Sequence, residues 1–235
     1  MLFLSHHFLG DRALGCISVS PSLKRSDYQF AIDFCADKSI ELRVVETQEL
    51  LDEDYFSNPN NRCYFCKSHL YKTLALVQRE YPTYTVLNGT NTDDLGDYRP
   101  GLQAANEHAI LSPLVDCAID KETVRKLALH FDLPNWQKPA SPCLSSRVPY
   151  GQVITLDKLK QIEHAEQFLS TYQFSDVRVR HYGEEARIEV PHFEIDRLTT
   201  LLPIISEHFA SLGFSSTRID QEGLVSGKLN RAILS

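Results

Sequence analysis

Two cysteines three residues apart, Cys63 and Cys66 in the stretch NRCYFCKSHLYKTL, could carry chemistry because of their spacing. Redox dithiols, zinc sites and iron–sulfur clusters share this spacing, and so do incidental buried thiols. The residues that follow predict a helix from about Lys67 to Tyr81, which would place both thiols near its N-terminus. The helix dipole and the neighbouring Arg62 and Lys67 favour thiolates there, so we expect a reactive or metal-bound pair.

A third cysteine, Cys143, follows Pro142 in a proline-rich loop, and Pro142 cannot donate a backbone hydrogen bond. Three thiolates without an obvious fourth ligand suit a cubane iron–sulfur cluster with one open iron, whereas structural zinc normally has four ligands. His69 keeps a Cys3His zinc site as the alternative. A thioredoxin-like dithiol fits less well, because no matching βαβ context surrounds the first two cysteines.

Arginines and a glutamate alternate with apolar residues in two predicted strands, DVRVRHY and ARIEV. If these strands pair in register, one sheet face carries Arg178, Arg180, Arg187 and Glu189. Clustered arginines on a rigid sheet can clamp a phosphate or a carboxylate. The alternative is the solvated face that antiparallel sheets commonly keep.

Glu166 is a carboxylate within the apolar stripe of a predicted helix from about Thr155 to Tyr172. A buried carboxylate needs a partner, and we expect the sheet arginines to supply it. The contact would be either a structural ion pair or part of a ligand site.

Acids and one arginine are concentrated in the loop GTNTDDLGDYRPG, which follows the predicted strand YTVLNGTN. Ligands of parallel α/β sheets bind outside the carboxyl ends of the strands. We therefore favour a functional loop, able to orient a nucleotide or a metal, over one that only ends a strand. Its candidate binding residues are Gly89, Asp94, Asp97 and Arg99.

The elements that must position these residues form two domains. Strands alternate with helices through the first part of the chain, which predicts a parallel α/β sheet over residues 1–132. Residues 133–153 hold four prolines and no periodicity, and we interpret them as a functional interdomain loop. Residues 154–235 predict a small α+β domain, with one helix interrupted at Pro203.

The composition of the chain disfavours several classes of protein. The chain has 235 residues, 43% of them hydrophobic, and a net charge of -7, which disfavours binding to long nucleic acid. Several cysteines lie in apolar patterns, as expected in a reducing compartment. The start is too short for a signal peptide and no apolar run approaches about 20 residues, so we expect a cytoplasmic protein without a membrane span.

Four stretches, in order along the chain, resemble the LarE-type ATP-dependent sulfur transferases of the PP-loop ATP-pyrophosphatase superfamily. They are GTNTDDLGDYRPG, CLSSRVPYG, VRVRHYGEEARIEVP and SGKLN. The resemblance implies a Rossmann-like PP-loop domain, a C-terminal domain and a homo-oligomer. It also implies ATP- and Mg²⁺-dependent conversion of pyridinium-3,5-biscarboxylic acid mononucleotide to the thiocarboxylate, for the nickel-pincer nucleotide cofactor of lactate racemase.

The family has two sulfur sources. One branch sacrifices a loop cysteine, at the position that Pro142 occupies here, and the other holds a [4Fe-4S] cluster that carries sulfide. Cys63, Cys66 and Cys143 match the cluster branch. By motif position, residues of the substrate and phosphate site would be Lys67, Ser146, Arg147, Glu166, Arg178, Arg180 and Glu189.

The sequence departs from the family at two places. The Ser-Gly-Gly-x-Asp-Ser loop that grips ATP in the family, and the first strand of the sheet, which precedes that loop, are not in the sequence. The first nine residues resemble the end of the helix that follows the loop, which suggests an N-terminally truncated chain and an incomplete ATP site. Val225 stands where relatives often carry arginine. Two other functions stay open, a PP-loop tRNA thiolase and a non-catalytic, zinc-stabilised remnant.

Overall fold

A computed structural model describes residues 1–96, 98–225 and 227–231 of the chain. The described residues divide into two compact units. The first unit comprises Met1–Ser20, Arg25–Tyr55 and Asn61–Ala140. The second unit comprises Pro21–Lys24, Phe56–Asn60 and the described residues from Ser141 onward. Two short early segments thus belong to the same unit as the C-terminal part of the chain.

Helices and strands are numbered along the described residues. The helices are α1 (Leu2–Leu9), α2 (Arg25–Asp37), α3 (Glu53–Phe56), α4 (Arg62–Glu80), α5 (Pro100–Glu107), α6 (Pro113–Asp116), α7 (Lys121–His130), α8 (Leu156–Ser170) and α9 (Ile195–Ser211). The strands are β1 (Gly15–Val19), β2 (Leu42–Glu46), β3 (Arg178–Tyr182), β4 (Glu185–Glu189) and β5 (Ser216–Ile219). None of the helices in the described ranges is both long and apolar enough for a membrane span.

The first unit contains the mixed α/β arrangement predicted from the sequence. Strands β1 and β2 are parallel, with Gly15 opposite Leu42, and α2 connects them. The segment expected to form the next strand, near Tyr84–Asn91, makes a single parallel bridge between Leu87 and Leu111. The parallel sheet is therefore smaller than the sequence predicts, because residues 84–91 pair with a neighbour at only one described position.

An open groove of about 670 Å³ lies beside β1 in the first unit. Its walls are formed by α1, the start of β1, the second half of α4 and residues 83–89. Leu2, Leu74 and Val86 are among the apolar residues that line it. Both β1 and residues 84–89 thus border one apolar groove.

Helix caps and close backbone contacts fix the other helices of the first unit. Helix α7 begins where the sequence predicts, since Asp120 accepts a hydrogen bond of 2.7 Å from the backbone N–H of Thr123. Helix α4 packs against α5, and a Cβ added at Gly101 would lie 3.0 Å from Lys67 Cγ. A residue larger than glycine at the start of α5 would therefore displace the Lys67 side chain.

The second unit contains the larger buried core. Its sheet has the order β3-β4-β5, with β3 and β4 antiparallel in the predicted register and β5 parallel to β4. Helices α8 and α9 pack against this sheet. The buried residues of the core are Ala165, Leu169, Val179, Ala186, Ile188, Val190, Ile195, Leu198, Ile205, Phe209 and Phe214.

Helix α9 runs through Pro203 without a break, so the predicted interruption is wrong. A proline inside a helix removes one backbone hydrogen bond and costs about 3 kcal/mol. Leu198 lies before the proline and Ile205 and Phe209 lie after it, and all three side chains are fully buried. Burial of these side chains on both sides holds the helix together across the proline.

Candidate functional site

A buried ion pair lies at the centre of the second unit. Glu166 on α8 accepts hydrogen bonds from Arg147 Nε at 2.7 Å and from Arg147 Nη2 at 3.2 Å. Lys24 Nζ lies 2.6 Å from the same carboxylate, and the backbone N–H of Val179 donates to it at 3.0 Å. The carboxylate has the partner that its position required. The expectation that the sheet arginines supply it is wrong, because Arg147 reaches it from the loop.

Glu166 stays ionised despite its burial. Burial raises the pKa of this carboxyl, but the charges of Arg147 and Lys24 outweigh that effect, so its pKa is lowered. Burying a carboxylate or a guanidinium without a counter-ion is unfavourable, so Glu166 and Arg147 each depend on the other to remain charged in the core.

Arg147 connects this ion pair to the loop that carries Cys143. The guanidinium is 1% exposed, and its Nη1 donates to the carbonyls of Pro142, at 2.7 Å, and Cys143, at 3.2 Å. Nη1 also donates to Ser146 Oγ, and that hydroxyl donates to the Cys143 carbonyl at 2.7 Å. Residues Leu144–Arg147 form a short 3-10 turn, and Cys143 precedes it. The backbone around Cys143 is therefore held by charged and buried groups.

A second ion pair ties the sheet to the same loop. Arg180 donates to Glu189 Oε2 through Nε at 3.0 Å and Nη2 at 2.8 Å, and its Nη1 donates to the Ser146 carbonyl at 2.6 Å. Lys228 Nζ lies 3.6 Å from the other oxygen of Glu189 and 2.7 Å from Asp220. Glu189 is thus shared by two cations, and both are on the second unit.

Arg178 differs from its neighbours on the sheet. Its side chain is 10% exposed, its Nε has no hydrogen-bond partner among the described residues, and Asp176 lies 3.8 Å from its Nη2. The pKa of Arg178 is lowered by burial and by the charges of Arg147 and Arg180, which outweigh the opposite effects of Asp176 and Glu189. Arg178 is therefore a buried cation with little counter-charge, and it can donate to an anion. The alternative of a solvated face holds only for Arg187, which binds Glu185 and is 35% exposed.

Cys63 and Cys66 lie at the start of α4, which begins at Arg62, earlier than the sequence predicts. Cys63 is exposed and Cys66 half-buried, and Lys67 is exposed beside them. Cys143 is half-buried in the second unit. Within the described ranges, no three His, Cys, Asp or Glu side chains form a group that could hold a metal ion. The three-cysteine set stays a prediction.

His69, the alternative fourth ligand, is oriented by a carboxylate. Its Nε2 lies 2.6 Å from Asp52 Oδ2, and both side chains are part-buried. A histidine held in this way presents its other ring nitrogen to its surroundings.

The acidic loop of the first unit is fixed largely by its own residues. Asp94 accepts a hydrogen bond from the backbone N–H of Asn91 and forms an ion pair of 2.8 Å with Arg99. Gly89 lines the apolar groove, and Asp97 lies outside the described residues. The loop thus has a defined shape at the end of the bridge at Leu87, which is the placement expected of a ligand loop.

No protein family model matches the chain. Pyridinium-3,5-bisthiocarboxylic acid mononucleotide synthase of Lactiplantibacillus plantarum is 30% identical over 220 residues, which are 94% of this chain and 80% of the synthase. The chain belongs to the LarE family. An uncharacterized protein of Synechocystis is 40% identical over 232 residues, 98% of this chain and 87% of that protein. An uncharacterized Methanocaldococcus jannaschii protein is 30% identical over 210 residues, 88% of this chain and 79% of that protein.

Two cations of this LarE family member were missed by reasoning from its sequence. Lys24 precedes α2 in the stretch SLKRSD, where a lysine resembles an ordinary helix flank. Lys228 was noted only as part of the motif SGKLN, without a partner. No periodic pattern marks either residue, because both reach the buried carboxylates from irregular segments.

Proposed function

We propose that this LarE family member is an ATP-dependent sulfur transferase. Its substrate would be pyridinium-3,5-biscarboxylic acid mononucleotide and its product the thiocarboxylate, in synthesis of the nickel-pincer nucleotide cofactor. The observation that carries the proposal is the 30% identity to the Lactiplantibacillus plantarum synthase over 94% of the chain. That relative is named for a bisthiocarboxylic acid mononucleotide, which is the expected type of product.

The buried arginines of the second unit, Arg147, Arg178 and Arg180, support the proposal that the substrate is anionic. The proposed nucleotide has a phosphate and two carboxylates, and guanidinium groups bind such groups with strong, directed hydrogen bonds. Within the described part of the chain, Arg178 Nε is a donor without a partner, whereas Arg147 and Arg180 donate to Glu166 and Glu189. We propose that Arg178 binds the substrate directly and that the two ion pairs hold the surrounding backbone.

We propose that the sulfur source is a [4Fe-4S] cluster held by Cys63, Cys66 and Cys143. The first two suit such a group, because thiolates one helical turn apart at a helix N-terminus are favoured by the dipole. Pro142 precedes Cys143, so the sacrificial-cysteine route has no thiol at that position. When bound through three thiolates, such a cluster leaves one iron that can carry an extra sulfide.

We propose that ATP and Mg²⁺ are used in the first unit, with Gly89, Asp94, Asp97 and Arg99 as the candidate nucleotide-binding residues. These residues belong to the loop that follows the bridge at Leu87, and ligands of parallel α/β sheets bind outside the carboxyl ends of the strands. We also propose a homo-oligomer that works in the cytoplasm with a separate sulfide donor.

The proposal is tested with protein purified anaerobically and reconstituted with iron and sulfide. We expect iron–sulfur absorbance and, with the biscarboxylic mononucleotide, ATP, Mg²⁺ and sulfide, a product in which sulfur replaces oxygen by mass spectrometry. Cys143→Ala should lose both. Cys117→Ala, which changes an exposed cysteine outside the proposed set, should keep both.

Two outcomes would contradict the proposal. Iron content unchanged in Cys143→Ala would remove this cysteine from the ligand set. Zinc without iron or sulfide, together with no thiolated product, would favour the zinc-stabilised remnant instead.

A further inference from the structure

The segment Pro21–Lys24, far from Cys143 in sequence, braces the Cys143 loop within the second unit. The carbonyl of Ser22 accepts a hydrogen bond of 2.8 Å from the backbone N–H of Leu144. Lys24 Nζ lies 2.6 Å from Glu166, the carboxylate that holds Arg147. The segment therefore acts on the loop twice, once through its backbone and once through a charged side chain.

These contacts fix both peptide groups that flank the Cys143 side chain. Before Cys143, the Pro142 carbonyl accepts from Arg147 at 2.7 Å. After it, the Cys143 carbonyl accepts from Arg147 and from Ser146, and the N–H of the same peptide group, that of Leu144, donates to Ser22. Because both peptide planes are held, the direction of the Cα–Cβ bond of Cys143 is set, and the sulfur moves only by rotation about that bond.

Lys24 contributes to this fixation through the oxygens of Glu166. Oε1 receives Arg147 Nε and the N–H of Val179, and Oε2 receives Lys24 at 2.6 Å and Arg147 Nη2 at 3.2 Å. With Oε2 satisfied mainly by the ammonium group, Nη1 of Arg147 stays directed at the loop carbonyls. Without Lys24, Glu166 would keep Arg147 as its one cationic partner among the described residues. Arg147 would then have to balance the carboxylate alone, and its hydrogen bonds to the loop carbonyls would be held less firmly.

We propose that Lys24 is a positioning residue for the Cys143 thiol, acting through Glu166 and Arg147. The use of that thiol in sulfur transfer rests on the proposed function, but its positioning does not. Lys24 is 18% exposed and its partner is buried, so the contact has the geometry of a charge-assisted hydrogen bond at the edge of a core.

The test replaces Lys24 in the full chain and measures the loop directly. In Lys24→Met, we expect exchange of the Leu144 amide hydrogen to become about tenfold faster. The loop should open more often in this variant, and each opening breaks the hydrogen bond from Leu144 to Ser22. In the protein before reconstitution with iron and sulfide, alkylation of Cys143 by iodoacetamide should rise by a similar factor of about ten relative to the exposed Cys117 of the same chain. Lys24→Arg should restore both values, since a guanidinium can still donate to Glu166.

The matched control is Lys126→Met, which removes a lysine from an exposed pair with Glu122 on α7. This variant should leave exchange at Leu144 and alkylation of Cys143 unchanged. If Lys24→Met does not fold, Lys24→Gln, which keeps a donor without charge, gives the same measurements with a smaller expected change.

Unchanged exchange and alkylation in folded Lys24→Met or Lys24→Gln would overturn the inference, and so would equal loosening in Lys126→Met. Neither readout requires sulfur transfer. A protein that makes no thiocarboxylate but shows the faster exchange would therefore refute the proposed function and leave the positioning role of Lys24 intact.

Discussion

At the scale of single residues, the cations of the second unit differ in how fully their charge is balanced. Arg147 and Arg180 each have a carboxylate at hydrogen-bond distance, whereas the nearest carboxylate that the described residues offer Arg178 is that of Asp176, at 3.8 Å. Burying a cation without a close counter-ion is unfavourable, and a bound anion would remove that cost.

Glu166 illustrates what a single position in the sequence can predict. Its place in an apolar helical stripe was enough to predict burial and a cationic partner, because a charge there cannot stay solvated. The identity of the partner was not predictable from periodicity. Arg147 and Lys24 come from irregular segments, and no repeating pattern places such residues opposite a helix.

His181 on β3 makes stability depend on pH. Its side chain is buried, its Nε2 lies 2.9 Å from Gln161 Oε1, and no described residue forms a hydrogen bond with its Nδ1. Burial and the charge of Lys158 lower the pKa of His181 from 6.5 to about 4. Between these values the unfolded chain binds a proton that the folded protein does not, so the free energy of unfolding should fall by about 1–2 kcal/mol as the pH drops through this window.

Urea unfolding at pH 7 and near pH 4.5 measures this change. The full contribution is present above pH 6.5, where the imidazole is neutral in both states. His181→Gln cannot titrate and can still donate to Gln161, so its loss between the two pH values should be smaller. Equal losses in the two proteins would assign the pH dependence to other groups.

At the scale of elements, residues with a local signal were predicted well. The sequence places the start of α7 at Asp120 and pairs β3 with β4 in the observed register, because caps and alternation depend on near neighbours. It did not predict that residues 84–91 form a single bridge, at Leu87, with the described residues, or that α9 continues through Pro203. Those two outcomes depend on packing partners distant in sequence, which override local propensity.

The segment Phe56–Asn60 is held in the second unit by the Asn58 side chain and by two backbone hydrogen bonds, which Gly151 donates to Asn58 and Ile154 donates to Phe56. Asn58 is fully buried, and its amide donates to the carbonyls of Val148, Pro149 and Gln152 at 3.2, 2.7 and 3.0 Å. Asn58→Ala would leave these three acceptors without their donor. We expect a loss of about 2–4 kcal/mol in the free energy of unfolding, measured by urea titration.

Two substitutions separate the role of the Asn58 side chain from that of its backbone. Asn58 has a φ of 59°, a left-handed conformation that glycine adopts freely, so Asn58→Gly tests the lost hydrogen bonds without added strain. Asn60→Ala, at an exposed position of the same segment, should change stability by less than about 0.5 kcal/mol. Equal stability of Asn58→Gly and the unchanged protein would show that the three bonds contribute little.

At the scale of the whole molecule, net charge separates sulfur transfer to a small nucleotide from sulfur transfer to tRNA. The chain has 31 acidic and 24 basic residues. Among the cations, Arg147 and Arg180 are buried in ion pairs and are not available to a phosphate backbone. A small anion can be bound by a few buried arginines, but tRNA requires many exposed ones.

We expect no specific association with tRNA. In a filter-binding assay at about 150 mM salt, the dissociation constant should be larger than about 10 µM, as for non-specific electrostatic binding. The same assay with a basic tRNA-binding protein serves as the positive control. Tight binding that weakens steeply with salt would revive the tRNA thiolase function.

The second unit combines early and late segments of the chain, so it can form only after the late segments have been synthesised. Residues 21–24 and 56–60 leave the ribosome early, but Leu144, Glu166 and the carbonyls bound by Asn58 are made much later. While the intervening chain is translated, these early segments do not yet contact the residues that they bind in the folded unit. Contacts between such distant stretches form slowly, because a long loop must close first. The nascent chain therefore carries two short segments without their final contacts at least until Glu166 has been synthesised, and chaperones bind exposed segments of this kind.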